Sequence, residues 1–547
     1  MKPSPMAYRA GTSAEPDSQP QAVSKNASAS YPLPHRTLLS HIAVVSAVIG
    51  LVFYRFSETV ADPDLWGHVT FGRVVWQTGT ISLPDPFSYV TAGHLWLNHE
   101  WLSEVIFYLA FAALGPPGLI VLKTAVSLIV FGLLYWHLCR QGLPPLRAGL
   151  IVLAVVHFFL VSLITARTLF FSYPLFLVVL IMVRRLSRGE TPWSWTLPPL
   201  FALWANLHPG FLAGIGVLGI WSLTELTTRS LSRRTGENPN SPSIRVIVAV
   251  LTASALAPIL NPYGLDLWTF LYRTATVPRP DITEWQPLTL MTHYGIAYAA
   301  YVAVAVWGLR YSRRERPPAL LAVLIVMIVL PLIAIRHTPL SALALAVLAG
   351  EHINDAWQRA FAFKSTGRPG DPRRIQAAAS VLLLASAGLF MTLSVSHFSC
   401  IRLEPAIGGS YPARAIGLIK KSGVQGNLGI HFDWGEYAIY HLGPSVKVSV
   451  DGRRETAYPR GVYIENQNFM RGLGDWDALL KNHDTQLALV KSGSPTFNLL
   501  KLKPGWHLIY QDSLAGLFGR DGLPAAEALA RTVPPPLPFD GAGLCFP

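Results

Sequence analysis

Two adjacent stretches near the N-terminus determine how the rest of the chain is interpreted. Residues 37–56, TLLSHIAVVSAVIGLVFYRF, form an apolar run, and residues 60–72, VADPDLWGHVTFG, begin four positions after its end. A bilayer core needs about 20 apolar residues, so the first stretch is predicted to cross a membrane. No small-residue cleavage site follows it, which indicates an uncleaved span rather than a removed signal peptide. Two carboxylates and a histidine in the second stretch are therefore placed directly at a membrane surface.

The composition also indicates a membrane protein. Hydrophobic residues make up 51% of the 547 residues and charged residues 14%, and the mean hydropathy is +0.36. Soluble domains carry about 25% charged residues. The net charge is +13, but the basic residues stand in short clusters between apolar runs, as in the loops of membrane proteins. Nucleic acid is therefore not an expected partner.

Apolar runs recur along the chain and predict 11 crossings. The predicted spans are 38–56, 118–139, 148–163, 169–183, 195–205, 211–226, 246–260, 296–309, 319–335, 339–349 and 377–395. Residues 101–114 are shorter and begin with polar side chains, which favours an interfacial or half-inserted helix over a span. The predicted fold class is a polytopic α-helical membrane protein, with about 11 transmembrane helices plus a half-inserted helix and a C-terminal extracytoplasmic α/β domain.

The distribution of basic residues supports this topology. With the N-terminus inside, the predicted inner segments hold 22 lysines and arginines, and the outer loops before the last span hold 6. Such a bias is typical of the positive-inside rule. The expected location is the bacterial cytoplasmic membrane, multi-pass, with residues 1–36 as a disordered cytoplasmic tail and residues 57–117 as the first outer loop of a transmembrane domain at 37–396.

The composition changes at the last span. Residues 397–535 alternate short apolar runs with turn residues and predict a soluble α/β domain outside the membrane, and residues 536–547 are a Pro-rich tail. Cys400 and Cys545 bracket this region, and an oxidising compartment would permit a disulfide between them. Sequence does not supply the distance that the bond needs, so the pairing stays open.

Polar groups collect at the predicted outer face. They come from five separate turns and are Asp62, Asp64, His68, His99, Glu100, Glu104, Arg167, Asn206, His208, Asn261, Tyr263, Asp281, Glu284, Trp285, Arg336 and His337. Ionisable groups at membrane depth are functional candidates by default. Each also has a plainer interpretation: a snorkelling arginine, a turn at Asp62-Pro63, or a helix cap at Asp64.

Several catalytic motifs are absent from the sequence. HEWLSE (99–104) has Ser103 where a zinc peptidase needs a second histidine, and Glu100 with Glu104 is a weak metal pair. The chain has no P-loop, no Gly-x-Ser-x-Gly and no dinucleotide fingerprint.

A set of motifs resembles the GT-C superfamily of membrane glycosyltransferases and, more narrowly, a large group of bacterial membrane proteins assigned to it. The motifs are DPDLWGH (62–68), DPFSY (85–89), NHEWLSE (98–104), WANLHPGF (204–211), NPYG (261–264), EWQP (284–287) and RHTPL (336–340). Asp62-Pro63 also resembles the first-loop Asp-Pro of oligosaccharyltransferase catalytic subunits. Residues 432–453, FDWGEYAIYHLGPSVKVSVDGR, resemble their Trp-Trp-Asp-Tyr-Gly region, although the residue order departs from that motif.

The resemblance implies transfer of a sugar from a polyprenyl-phosphate-linked donor to an unknown glycan, lipid or protein acceptor on the extracytoplasmic side. Asp62 and Asp64 are then the catalytic carboxylates, and a divalent cation, Mg²⁺ or Mn²⁺, is expected with Asp62 and His68 as its ligands. Guanidinium groups suit a departing phosphate. The expected substrate contacts are His68, His99, Glu100, Arg167, His208, Glu284, Arg336, Trp434 and Tyr437.

Two other classes stay open at this stage. A transporter or flippase of lipid-linked or small polar substrates would use the outer polar rim as its mouth, but it predicts internal repeats and polar groups at mid-membrane depth. A non-catalytic scaffold in envelope assembly would use the region around FDWGEY for binding, and it predicts that Asp62→Asn leaves function intact.

Overall fold

The computed structural model describes residues 35–81, 83–232, 242–275, 282–361, 372–407 and 409–547. The predicted disordered tail, apart from its last two residues, and Asp281 lie outside these ranges. The first part of the chain is helical. Its helices are α1 (His35–Ser57), α2 (Asp64–Thr78), α3 (Trp101–Leu114), α4 (Pro116–Arg140), α5 (Pro145–Phe159), α6 (Ser172–Leu186), α7 (Leu197–Leu207), α8 (Phe211–Ser232), α9 (Ile244–Leu256), α10 (Leu265–Ala275), α11 (His293–Tyr311), α12 (Pro318–Ile333), α13 (Thr338–Phe361) and α14 (Pro372–Ser394).

Each of the 11 predicted spans overlaps one of these helices. Within the described ranges, five helices are long and apolar enough to cross a membrane, namely those containing Leu38–Ser57, Pro116–Arg140, Thr168–Leu186, Phe211–Leu231 and Gln376–Ser399. A sixth crossing is present if the bent pair Ile244–Leu260 and Leu265–Thr274 counts as one span. The chain is therefore a multi-pass membrane protein, while the count of 11 crossings stays a prediction. Residues 101–114 form the short apolar helix α3.

Helix α13 lies at the centre of the helical domain. Its first 13 residues, 338–350, are all buried, and they include Ala342, Ala344, Ala346 and Ala349. Small side chains let neighbouring helices approach closely, and α13 packs against α11, α12, α5 and α6. The helix continues to Phe361, 12 residues beyond the predicted apolar span. The prediction ended earlier because the second half of the helix carries polar side chains.

The C-terminal part is an α/β domain, as its alternating pattern predicts. Its helices are α15 (Ala413–Ser422), α16 (Gly435–Leu442), α17 (Arg460–Arg471), α18 (Ala478–Asn482), α19 (Pro495–Leu502) and α20 (Pro524–Arg531). The first loop holds two short strands of two residues each, β1 (Leu83–Pro84) and β2 (Leu95–Trp96). The C-terminal domain holds β3 (Gly426–Ile430), β4 (Val446–Val448), β5 (Leu487–Lys491), β6 (Trp506–Gln511) and β7 (Ala515–Arg520). The strand order is β4-β3-β5-β7-β6; β3 is parallel to both neighbours, and β7 is antiparallel to β5 and β6.

The first loop and the C-terminal domain are joined by backbone and side-chain bonds. Val448 donates its N–H to the Phe87 carbonyl at 3.0 Å, and Tyr89 donates to the Val448 carbonyl at 3.3 Å. Arg453 binds Asp85 through two nitrogens, at 2.8 and 3.1 Å, and both side chains are buried. A bidentate buried pair of this kind fixes orientation as well as distance.

The chain end is also fixed to the domain junction. A disulfide joins Cys400 and Cys545, whose Cα atoms are 5.4 Å apart, so the pairing that sequence left open is formed. Phe546 is 1% exposed and packs against Trp66 of α2, with ring centroids 5.3 Å apart. The final residues of the Pro-rich segment are therefore part of the packed structure.

Candidate active site

An arginine held by three carboxylates is the centre of the candidate site. Arg167 lies between α5 and α6, and its Nε is 2.8 Å from Asp62 Oδ2. Its Nη2 is 2.6 Å from Asp64 Oδ2, and its Nη1 is 3.1 Å from Glu284 Oε2. Three segments far apart in sequence, residues 62–64, residue 167 and residue 284, therefore meet at one guanidinium.

Local structure explains why the two aspartates reach this arginine. Pro63 takes a helical conformation immediately before α2, which makes Asp64 the first residue of the helix. Asp64 is therefore not the helix cap that its sequence position allowed, and its carboxylate binds Arg167 instead. Pairing between the loops fixes their register, because Val60 donates its N–H to the Ile164 carbonyl at 3.0 Å.

A buried lysine binds the loop before Asp62 and the loop before Arg167. Lys123 of α4 is 0% exposed, and its ammonium donates to the carbonyls of Glu58 at 2.8 Å, Leu163 at 2.9 Å and Ile164 at 3.3 Å. An ammonium has three N–H donors, and each has one carbonyl acceptor here. Lys123 therefore ties the loop before Asp62 to the loop before Arg167.

A second arginine approaches the same carboxylate from the other side. Arg336 Nη1 is 3.7 Å from Glu284 Oε1, and its guanidinium lies 4.5 Å from the ring centroid of Trp285. Glu284 is thus between Arg167 and Arg336. Its side chain is 38% exposed, so it is the most accessible of the three acids around Arg167.

Asp62 and Asp64 have different environments. The Asp62 side chain is 8% exposed and that of Asp64 is 29% exposed. Burial raises the pKa of Asp62 to about 6, against the opposing effect of the Arg167 guanidinium. Asp62 therefore titrates near neutral pH, where a catalytic site can use a change of protonation.

The C-terminal domain adds a fourth carboxyl group to the cluster. A methyl group placed on Gly452 would lie 2.5 Å from Glu436 Oε1 and 2.8 Å from Asp64 Oδ1, so these two oxygens flank one small space. Glu436 is 5% exposed, and among the described residues no hydrogen-bond donor reaches its Oε2. Burial, and then the neighbouring Asp64, raise the pKa of Glu436 well above its ordinary value. The raised pKa therefore favours the protonated form of Glu436 over the charged form.

His68 belongs to a separate polar pair behind the aspartates. Its Nδ1 is 3.6 Å from Glu104 Oε1, and the imidazole packs against Phe107. Asn98 donates to the other Glu104 oxygen at 2.6 Å. His68 is therefore oriented toward α3, where Glu104 holds it.

Glu100 lies close to two further predicted histidines, His99 and His208. Its Oε1 is 3.5 Å from His208 Nε2 and 3.8 Å from His99 Nε2, and Thr168 donates to its Oε2 at 2.8 Å. Because Thr168 follows Arg167 directly, this second cluster borders the first. The structure thus brings eight of the predicted residues into two adjoining clusters, namely Asp62, Asp64, Arg167, Glu284 and Arg336 in the first and His99, Glu100 and His208 in the second.

Trp434 and Tyr437 lie inside the packed domain. Trp434 is 1% exposed and donates its indole N–H to the Ser410 carbonyl at 2.8 Å. Tyr437 is 5% exposed and packs edge-on against Trp66 of α2, with ring centroids 5.0 Å apart. Tyr437 therefore joins the C-terminal domain to α2, and a substrate contact by either side chain stays a prediction.

The two predicted metal ligands contact different partners. Asp62 contacts Arg167, whereas His68 contacts Glu104. Within the described ranges, no group of three or more His, Cys, Asp or Glu side chains is placed to hold a metal ion. A divalent cation held by Asp62 and His68 therefore stays a prediction, and the proposed reaction does not depend on one.

Two residues of the site were missed by sequence reasoning. Glu436 stands within the motif FDWGEY, from which the prediction took only the aromatic side chains; an acid in the otherwise apolar helix α16 was the available signal. Lys123 interrupts the apolar run of α4, and an ionisable residue inside such a run marks a functional candidate.

Comparisons with known proteins give structural matches only. No protein-family model matches the chain, and no curated protein matches it. Among solved structures, ArnT from Cupriavidus metallidurans bound to undecaprenyl phosphate is 13% identical with a TM-score of 0.49, and the match covers 88% of this chain and 97% of that one.

Two further solved structures match at the same TM-score of 0.49. The archaeal oligosaccharyltransferase AglB from Archaeoglobus fulgidus, in complex with an inhibitory peptide and a dolichol-phosphate, is 13% identical over 90% of this chain and 75% of that one. The arabinofuranosyltransferase AftD from Mycobacteria is 16% identical over 90% of this chain and 42% of that one. The chain is similar in overall structure to these GT-C membrane glycosyltransferases, the superfamily that its sequence motifs resemble.

Proposed function

We propose that this protein is a membrane glycosyltransferase that transfers a sugar from a polyprenyl-phosphate-linked donor to an acceptor hydroxyl or amide on the extracytoplasmic side. The observation that carries the proposal is the position of Glu284 between Arg167 and Arg336, beside Asp62 and Asp64. Two guanidinium groups facing one carboxylate form a place for an anion, and an acid pair lies next to it.

In the proposed reaction, the donor phosphate takes the space between the two arginines when the partly exposed Glu284 side chain turns away. Guanidinium binds phosphate oxygens well, because its N–H groups match them in pairs. Arg167 and Arg336 then stabilise the negative charge that develops on the departing lipid phosphate.

Asp64 is the proposed general base, since it is more accessible than Asp62. The acceptor heteroatom attacks the anomeric carbon and its proton passes to Asp64; the bond from that carbon to the phosphate oxygen breaks, and the polyprenyl phosphate leaves as an anion. Asp62 holds Arg167 Nε in place. Because burial and Asp64 raise its pKa, Glu436 favours its protonated form, which adds less negative charge beside Asp64.

Sidedness in this proposal rests on the distribution of charge. The acid cluster and the C-terminal domain lie at the N-terminal end of α6, and Arg184, Arg185 and Arg188 lie at its C-terminal end. Under the positive-inside rule, the arginine-rich end faces the cytoplasm.

The test uses purified protein in nanodiscs with a panel of polyprenyl-phosphate sugars, and it follows the free lipid phosphate by mass spectrometry. Asp64→Asn is expected to lower turnover by at least 100-fold, the lower range for loss of a general base. The matched control is Asp475→Asn, whose side chain is 69% exposed on the C-terminal domain. Full turnover in Asp64→Asn would remove the proposed base and favour a structural role for the acid pair.

A further inference from the structure

A cavity lies at the opposite end of the helical domain from the acid cluster. Helix α6 begins just after Arg167 and ends at this cavity, about 22 Å away for 15 residues at 1.5 Å per residue. The cavity volume is about 470 Å³. Five arginines line it, Arg184, Arg188, Arg313, Arg314 and Arg316.

The cavity carries an excess of positive charge. The lining acids are Glu315 and Glu351, which leaves a net charge of about +3 with the five arginines. A cluster of like charges around a concave space attracts anions more strongly than the same charges spread over a flat surface.

Glu351 holds the arginines in position. Its Oε1 is 2.6 Å from Arg184 Nη2, and its Oε2 is 2.9 Å from Arg188 Nη2 and 3.4 Å from Arg314 Nη1. Each guanidinium has five N–H donors, so contacts with one carboxylate leave donors over for a second anion. Arg188 and Arg314 are 48% and 47% exposed, which makes those donors accessible.

Orientation in a membrane does not require this arrangement. Basic residues that only set topology need to be near a span end, but they need not meet around one carboxylate. Here three of the five arginines, Arg184 and Arg188 from the end of α6 and Arg314 from the connection between α11 and α12, converge on Glu351 of α13.

The wall of the cavity distinguishes a lipid from a soluble anion. Leu309 at the end of α11 and Leu320, Leu321 and Leu324 of α12 line the same space as the arginines. A soluble phosphate gains nothing from leucine side chains, whereas the acyl chains of a phospholipid bury against them. Basic pockets between transmembrane helices at the cytoplasmic side suit lipid head groups of this kind.

We infer that this cavity is a binding site for the phosphate head group of an anionic membrane lipid, separate from the candidate active site. The arginines bind the phosphate, Glu351 keeps them in place, and the leucines contact the first part of the acyl chains. The inference does not depend on the proposed glycosyl transfer.

Native mass spectrometry of the protein in detergent tests this inference. Phosphatidylglycerol and phosphatidylcholine with identical acyl chains are added at equal concentration, and the bound fraction of each is measured. The protein is expected to retain phosphatidylglycerol at least fivefold better, and Arg188→Ala/Arg314→Ala is expected to abolish this preference. The control Arg185→Ala/Arg310→Ala removes the same charge at the same end of the domain, from side chains that stack on Trp193 and Tyr311, and is expected to keep the preference.

A single substitution guards against misfolding of the double variant. Arg313 is exposed, so Arg313→Glu is expected to fold and to lower the preference at least twofold by reversing one lining charge.

Three results would overturn the inference. Equal binding of the two lipids would exclude recognition of the head-group charge. Equal loss of preference in the test and control double variants would indicate a diffuse basic surface rather than a site. The third result has two parts: the protein shows no preference between the two lipids, and it binds inorganic phosphate saturably without added lipid. If Arg188→Ala/Arg314→Ala loses that phosphate binding, a soluble phosphate is the ligand.

Discussion

Replacement of Glu436 by glutamine tests the protonation state of the buried acid that the C-terminal domain places beside Asp64. Glutamine has nearly the shape of a protonated glutamate, and it cannot ionise. Glu436 is 5% exposed, and burial followed by the Asp64 charge raises the pKa of its carboxyl well above 4.5. The substitution therefore removes a titration while it leaves the packing against α2 and Gly452 almost unchanged.

The sign of the effect follows from the raised pKa. Below about pH 4.5 the carboxyl is protonated in both the folded and the unfolded chain, so its stabilising contribution is fully present. As the pH rises, the unfolded chain releases this proton first, and the folded protein loses up to about 1.4 kcal/mol of its free energy of unfolding per pH unit. The loss continues until the pH passes the folded pKa.

The wild type and Glu436→Gln should therefore diverge with pH. Their free energies of unfolding are expected to differ progressively in favour of the variant as the pH rises from about 4.5 toward the raised folded pKa, by up to about 1.4 kcal/mol per pH unit. Contributions from Asp62, whose pKa of about 6 also lies in this range, are common to both proteins and cancel in the comparison.

The measurement is denaturant unfolding in detergent, followed by tryptophan fluorescence at several pH values. Glu527→Gln is the matched control, because Glu527 is 63% exposed on α20 of the same domain. Parallel curves for the wild type and Glu436→Gln across this range would show that Glu436 ionises normally in the folded protein, and the account of a shared acid pair would be wrong.

Three further predictions concern the acid cluster and its support. Turnover is expected to fall about tenfold per pH unit below pH 6, because protonation of Asp62 weakens its pair with Arg167. Asp62→Asn should lower turnover and flatten this fall at acid pH. A pH–rate profile of Asp62→Asn with the same fall at acid pH would contradict the role of Asp62. Gly452→Ala is expected to lower turnover roughly 100-fold, because its Cβ would displace Glu436 and Asp64; a kinetic assay with normal turnover would show that the space tolerates a methyl group. Lys123→Met is expected to cost about 2–4 kcal/mol of stability, because three buried carbonyls lose their donor; an unchanged denaturation midpoint would exclude this tie between the loops.

The cluster around Arg167 shows which part of the site could be predicted from the sequence. Asp62 and Asp64 come from one loop, and Arg167, Glu284 and Arg336 come from three other turns on the same predicted face; in the structure they form one connected cluster. Sequence could place them on a common face, because the alternation of spans assigns each turn to a side. It could not show that Arg167 is the shared partner, since that depends on how residues 60 and 164 pair.

For the predicted metal pair and the aromatic residues, the structure adds contacts that the sequence could not supply, while their predicted roles stay predictions. Sequence placed Asp62 and His68 six residues apart near the start of a helix, but α2 turns the imidazole toward Glu104 while Asp62 contacts Arg167. Trp434 and Tyr437 come from a motif with a recognition role in a resembled family, and both are buried: Tyr437 packs on Trp66 of α2, and Trp434 donates to the Ser410 carbonyl.

The sequence by itself determined the elements whose signal is local. Apolar runs predicted the helices because the backbone must bond internally in lipid, and alternating runs with turn residues predicted the C-terminal α/β domain. Only the tertiary structure decided which groups share a space: Glu436 with Asp64, Lys123 with two loops, and five arginines with Glu351. Those contacts join residues up to several hundred positions apart, and their energies depend on burial and distance, which no local pattern of residues contains.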